Sequence, residues 1–214
     1  ALAAADLVLA DKLVASQDLQ IYLKPKCEIR YARKFPGNAQ RAQLELYEWA
    51  LEAAREGKNV VRLKGGDPYI YGRGGEELIF FREHGYLPTV VPGISSAIAA
   101  PLAAGIPLTH RGVADQFLVI TGHNKDGSPP ELPTYVQTRT LVVLMGLGSL
   151  ESLTKEMQSK GWPPECEAAA IEKGTHADQR VVKGTIADLG EKVKEHQLAS
   201  PVTLVVGATV SALS

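Results

Sequence analysis

Short apolar runs recur along the chain, and most are followed by a longer segment whose apolar residues fall at helical spacing. LVLA at Leu7–Ala10, EIRY at Glu28–Tyr31 and NVVRL at Asn59–Leu63 read as strands. QFLVIT (Gln116–Thr121), TLVVLM (Thr140–Met145), Ala168–Ile171, Arg180–Lys183 and Val202–Val206 read the same way, as does the short Thr89–Val91. The segment after Asn38 predicts a helix to about Glu56, with Asn38 as N-cap and Leu44, Tyr47, Leu51 and Ala54 on one face. Gly57 ends it. Further helices are predicted over Glu76–His84, from Ser95 to about Ala104, over Leu150–Lys160 and over Ile186–His196. Strands alternating with helices predict an α/β fold. The polar, Pro-containing stretch PLTHRGVAD divides it into an N-terminal α/β domain, residues 1–110, and a C-terminal one, residues 111–214. The loop Asn124–Pro133 is long enough for a mobile flap.

Composition narrows the class. The chain has 214 residues, 45% of them hydrophobic and 22% charged, with a formal net charge of −1. That is ordinary globular composition without the basic excess of a nucleic-acid binder. The most apolar long run, Val90–Leu108, is broken by three prolines and two glycines, which argues against a membrane span. Two widely separated cysteines, Cys27 and Cys166, fit a reducing, cytoplasmic setting better than a disulfide framework. The five histidines show no metal-ligand spacing, so no metal is expected. No nucleophile elbow occurs either.

The chemistry concentrates in LKGGDPYIYGRGGEE, Leu63–Glu77. Gly65 and Gly66 follow a strand, at the edge where open α/β sheets bind ligands, and expose backbone there. Asp67 could hold a ligand hydroxyl or amine, or it could simply shape an Asp-Pro turn. Arg73, flanked by glycines, could clamp a carboxylate, or form a surface ion pair with Glu76 or Glu77. Ser95 and Ser96 open a helix whose free N–H groups suit a polar ligand, although plain N-capping explains them equally. Met145 ends an apolar strand and is core-like by itself. The turn Glu172–Thr175 carries Gly174.

Taken together, ADKLVAS, VVRLKGGDPYIYGRGGEE, VVPGISSAIAAPLAAGIPLTHRG, FLVITGH, LVVLMGL, AAAIEKGTHADQRVVKGT and SPVTLVVG resemble the tetrapyrrole methylase family, in that family's order across nearly the whole chain. LTHR with GRGGEE resembles the branch acting on uroporphyrinogen III, and ARKFPGNAQ at residues 32–40 resembles its fungal members. The resemblance implies two α/β domains with a cleft between them, S-adenosylmethionine as methyl donor, and a homodimer. It implies C-methylation of uroporphyrinogen III at two ring carbons, giving precorrin-2 for sirohaem or cobalamin. Cofactor contacts fall on Gly65, Gly66, Asp67, Ile70, Ser95, Ser96, Met145 and Gly174. The proposed proton acceptor falls on Asp11 and the donor on Lys34. Substrate contacts fall on Arg73, Glu76 and Arg111, which suits a substrate rich in carboxylates.

Family members begin with an apolar strand and a glycine-rich loop that have no counterpart after Ala1. The expectation is therefore an N-terminally truncated piece that binds the cofactor weakly. Two alternatives stay open: a related methyltransferase on another substrate, and a non-catalytic ligand-binding or dimerisation fragment.

Overall fold

The computed structural model describes residues 1–11, 19–31 and 39–213. It divides into two compact units, Ala1–Gly93 and Ile94–Ser214. This division falls earlier than the one expected after residue 110. The reason is the helix opened by Ser95, α3 (Ser96–Ala103). Its Ala97 and Ala100, with Ile106 and Leu108 just beyond, pack on strands of the second unit.

The first unit is built on a parallel sheet of three strands, in the order β2 (Glu28–Tyr31), β1 (Leu7–Ala10), β3 (Val60–Leu63). All four residues of β1 are buried, as expected of a central parallel strand covered on both faces. Leu7 and Leu9 meet Leu46, Ala50 and Ala53 of α1 (Ala39–Arg55). Val8 and Ala10 meet Ile29, Tyr31, Val61 and Leu63. α1 ends at Gly57 in the left-handed region (φ 76°), as its sequence predicts. Asn38, the expected cap, lies outside the described residues.

Two expectations fail here. Leu44 is 45% exposed, while its neighbour Gln43 is buried. The buried stripe is rotated because Gln43 Nε2 donates to the buried Glu77 Oε1 at 2.7 Å, and a satisfied amide can occupy a core position. Thr89–Val91 forms no strand. β3 is left as an edge strand of the described sheet, paired with β1 alone. The helix expected at Glu76–His84 is α2, and it starts two residues earlier (Gly74–Glu83).

The second unit carries a mixed sheet of five strands, β4 (Gln116–Thr121), β5 (Arg139–Leu144), β8 (Val202–Val206), β6 (Glu167–Glu172) and β7 (Arg180–Thr185), in that spatial order. β4 and β5 are parallel, whereas β8 runs antiparallel to both β5 and β6. β4, β5 and β6 therefore point the same way and end along one edge. α3 covers one face through Val142, Leu144, Ala169, Ile171 and Val205. α4 (Leu150–Ser159) and α5 (Leu189–Glu195) cover the other, with Leu153, Met157, Trp162, Leu189 and Val193 against Leu141, Val143, Ala168, Ala170 and Leu204. α5 begins three residues later than its apolar pattern predicts, because Asp188 Oδ1 accepts from the Thr185 N–H and holds a turn there. The loop Asn124–Pro133 is irregular but anchored. Leu132 is 2% exposed in the core, and the Pro133 carbonyl accepts the Trp162 indole N–H at 2.9 Å. No described helix is long and apolar enough to cross a membrane.

Candidate functional site

The parallel sheet of the first unit brings the ends of its strands to one edge. Asp11 directly follows β1, and Lys64–Asp67 directly follow β3. The register pairs Ala10 with Leu63, so these two segments leave the sheet side by side. Lys34 lies outside the described residues.

The Gly-Gly-Asp-Pro turn is held from within. Asp67 Oδ1 accepts from the Tyr69 N–H at 2.8 Å and Oδ2 from the Gly93 N–H at 3.1 Å. These backbone donors, Gly93 first, hold the carboxyl below its usual range. Asp67 is thus a turn-former through both oxygens, each of which retains a further lone pair. Gly66 sits at φ 78°, and a Cβ on Gly93 would come within 2.3 Å of the Gly66 carbonyl oxygen. Gly65 differs: a Cβ there would meet nothing within 4 Å. Its backbone is exposed and approachable, and so is Ile70, at 39%.

Beyond the turn, Tyr71 (φ 52°) and Arg73 (φ 59°) adopt left-handed backbone without being glycine. Such positions cost energy and concentrate at functional loops. Arg73 is the N-cap residue of α2, and its Nη2 meets Glu76 Oε2 at 2.6 Å. The surface pair foreseen as the plain reading of Arg73 is therefore present.

Behind this loop lies a cluster of charged side chains. Glu77 is 6% exposed; its Oε1 accepts from Lys64 Nζ and Gln43 Nε2, both at 2.7 Å, and lies 3.4 Å from Arg62 Nε. Arg62 Nη2 donates to Asp11 Oδ2 at 2.9 Å. Burial pushes the Lys64 ammonium below its usual pKa, and the bond to Glu77 opposes that shift. Sequence reasoning passed over Arg62 and Lys64, and named Glu77 only as a possible surface partner of Arg73. The available signal was a cation inside NVVRL, since a charge within a short apolar strand needs a partner where it is enclosed.

The second unit places Met145 and Gly174 along the shared edge where β5 and β6 end, whereas Arg111 precedes the start of β4. Met145 immediately follows β5, is 49% exposed and has φ 58°. Its carbonyl lies 3.2 Å from His123 Nδ1. Gly174 follows β6 between Lys173 (φ 46°) and Thr175 (φ 75°). A Cβ on Gly174 would fall 2.4 Å from the Ala100 Cβ, so this glycine lets α3 lie close to the turn. Because Ala97 packs with Leu144 and Ala100 with Ile171, α3 spans the ends of β5 and β6. Ser95 is 5% exposed and caps α3, its Oγ accepting from the Ala97 N–H at 3.2 Å, whereas Ser96 is exposed. Capping thus accounts for Ser95, and Ser96 is the serine open to a ligand. Arg111 is exposed on a turn closed by the His110 to Ala114 bridge.

A model of the tetrapyrrole (corrin/porphyrin) methylases matches residues 1–190. The chain is 50% identical over 209 residues to a probable uroporphyrinogen-III C-methyltransferase of Schizosaccharomyces pombe, covering 98% of this chain and 42% of that protein. It is 43% identical over 212 residues to the uroporphyrinogen-III C-methyltransferase of Methanocaldococcus jannaschii, covering 98% of this chain and 87% of that one. It therefore spans less than half of the fungal relative and most of the archaeal one. A crystal structure of uroporphyrin-III C-methyl transferase from Thermus thermophilus, complexed with S-adenyl homocysteine, superposes with a TM-score of 0.82 at 34% identity, over 99% of this chain and 90% of that chain. With most of its length matched by the family model and by an archaeal relative of similar size, the chain belongs to the tetrapyrrole (corrin/porphyrin) methylase family.

Proposed function

We propose that the protein methylates uroporphyrinogen III at two ring carbons, with S-adenosylmethionine as donor, to give precorrin-2. The observation that carries this reading is the carboxyl edge of the first sheet, where an ionisable Asp11 and an approachable Gly65 backbone emerge side by side. The family membership and the named activities of the two relatives support it.

The residues assigned to the donor are Gly65, Gly66, Asp67, Ile70, Ser95, Ser96, Met145 and Gly174. They fit such a group: Gly65 leaves room for close backbone approach, Ile70 and Met145 offer exposed apolar surface, and Gly174 keeps its turn free of a side chain. When bound, the donor supplies an activated methyl on a sulfonium, so the protein's share of the chemistry is alignment and proton handling. Asp11, held at Oδ2 by Arg62, accepts the proton that the cationic macrocycle sheds from a neighbouring position after the methyl has been added, since the methylated ring carbon itself carries no hydrogen. Lys34 is assigned as proton donor. Arg73, Glu76 and Arg111 are assigned to the substrate, whose carboxylates suit the two guanidinium groups. The Arg73 side chain is half-buried at the start of α2, and its partner Glu76 is exposed, so a substrate carboxylate can compete with Glu76 for it.

We also assign a homodimer, supported by the exposed Ile98 and Leu102 one turn apart on α3 with Ile94 just before it. The cytoplasm is assigned as its compartment, supported by the two free thiols.

The test is incubation of the protein with uroporphyrinogen III and methyl-labelled donor under reducing conditions. Two labels per macrocycle and a strongly absorbing product support the reading. Donor binding without label transfer would leave the binding-module reading in its place.

A further inference from the structure

We infer that Arg62 is a positioning residue for Asp11, and that Glu77, Lys64 and Gln43 exist at this place to hold Arg62. The inference rests on the assignment of Asp11 as proton acceptor and adds the groups that keep it ready.

The guanidinium is hydrogen-bonded through both Nη atoms and ion-paired, without a hydrogen bond, at Nε. Arg62 lies opposite Leu9 in the β1–β3 register, so its side chain reaches across β1 toward Asp11, two residues further along the chain. Nη2 donates to Asp11 Oδ2 at 2.9 Å, and Nη1 donates to the carbonyl oxygens of Leu63 (2.8 Å) and Leu9 (3.2 Å). On its far side Nε faces Glu77 Oε1 at 3.4 Å, and that oxygen also takes Lys64 and Gln43. The side chains of Arg62, Lys64 and Glu77 are 13%, 8% and 8% exposed, and that of Asp11 is 18%. Among the described residues two cations, Arg62 and Lys64, and two anions, Asp11 and Glu77, share this confined space. A cation this close favours the ionised form of Asp11, which is the form a proton acceptor needs. The two Nη1 bonds to backbone fix the fork relative to the sheet, and the carboxylate is aimed with it. An ammonium cannot reproduce this, because it has no planar fork to bond two carbonyls and a carboxylate together.

A purely structural ion pair would explain the same contacts, so the test must read proton transfer. In the intact protein, Asp11→Asn, Arg62→Lys and Arg62→Gln are compared with wild type for kcat, for the pH profile of kcat/KM, and for donor Kd by calorimetry. Asp11→Asn is expected to lose turnover, which establishes the acceptor independently of Arg62. Arg62→Lys is expected to lower kcat roughly tenfold to hundredfold, the scale of a misaimed reacting group, with donor Kd within about twofold. Arg62→Gln is expected to move the acidic limb of the profile to higher pH, because Asp11 has lost a cation 2.9 Å away that favours its charge. If Arg62→Gln does not fold, Arg62→Lys keeps the charge between the two acids and decides alone. A folded Arg62 variant with wild-type kcat and an unmoved acidic limb overturns the inference, and a lowered Tm in that variant would mark Arg62 as purely structural. Normal turnover in Asp11→Asn would overturn the assignment of the acceptor itself, and the inference with it.

Discussion

Two alanine substitutions, Gly93→Ala and Gly65→Ala, separate what the Gly-Gly-Asp-Pro turn does for the fold from what it offers a ligand. The Cβ added at Gly93 would lie 2.3 Å from the Gly66 carbonyl oxygen and 2.8 Å from its carbon, well inside van der Waals contact. Both are backbone atoms, so no side chain can swing away. The turn must retreat, and with it the Gly93 N–H bond to Asp67 Oδ2. Overpacking of this kind costs about 1–3 kcal/mol. In a chain of this length each kcal/mol lowers Tm by about 2–4 °C, so a loss of roughly 4–8 °C is expected near the middle of that range. Gly65→Ala adds a methyl with nothing within 4 Å, at a backbone outside the left-handed region. Its Tm should stay within the scatter of neutral surface changes, about 0.5 kcal/mol. Donor affinity should nevertheless fall, because the methyl occupies the space where the donor is proposed to approach. The assay is thermal melting by circular dichroism, paired with calorimetric titration of S-adenosylmethionine. A Gly93→Ala protein that melts like wild type would refute the reasoning about the turn. A Gly65→Ala protein with unchanged donor Kd would remove that backbone from the site.

Three further outcomes are expected. Glu77→Ala leaves Arg62 and Lys64 buried without their shared partner and should cost about 3–5 kcal/mol in urea unfolding, whereas Glu76→Ala, removing an exposed pair with Arg73, should cost less than about 1 kcal/mol; equal effects would deny that the buried cluster is a unit. Burial pushes the Cys166 thiol up to about 11 from an ordinary 9.0; the unfolded chain therefore releases this proton first, and folding stability should decline as pH rises from about 9 toward 11. That decline should be smaller in Cys166→Ala, and an identical alkaline slope in both proteins would count against it. Arg111→Ala should raise KM for the tetrapyrrole while leaving donor Kd alone, and a drop in Tm with normal kinetics would return Arg111 to a structural role.

Much of the candidate site was legible in the chain, for a specific reason. The turns after β3, β5 and β6 depend on glycine, proline and serine at given places, and these types announce backbone geometry locally. Ser95 was readable as a cap and is one, and Gly57 as a helix end and is one. Arg62, Lys64 and Glu77 were not legible, since each looks like an ordinary surface charge until another element encloses it. The same cause hid the rotation of α1: Gln43 takes a buried place in which its amide meets Glu77, thirty-four residues on.

Apolar periodicity by itself determined the alternation of strands and helices, because burial of one face is written into each segment's own spacing. Local residue types determined the turns. Only the tertiary structure decided which strands pair, that β4, β5 and β6 end on one edge, that α3 belongs with the second sheet, and that Thr89–Val91 forms no strand. It alone decided that Asp11 meets Arg62, because a buried charge chooses its partner across elements, through desolvation and distance that no local window of residues contains.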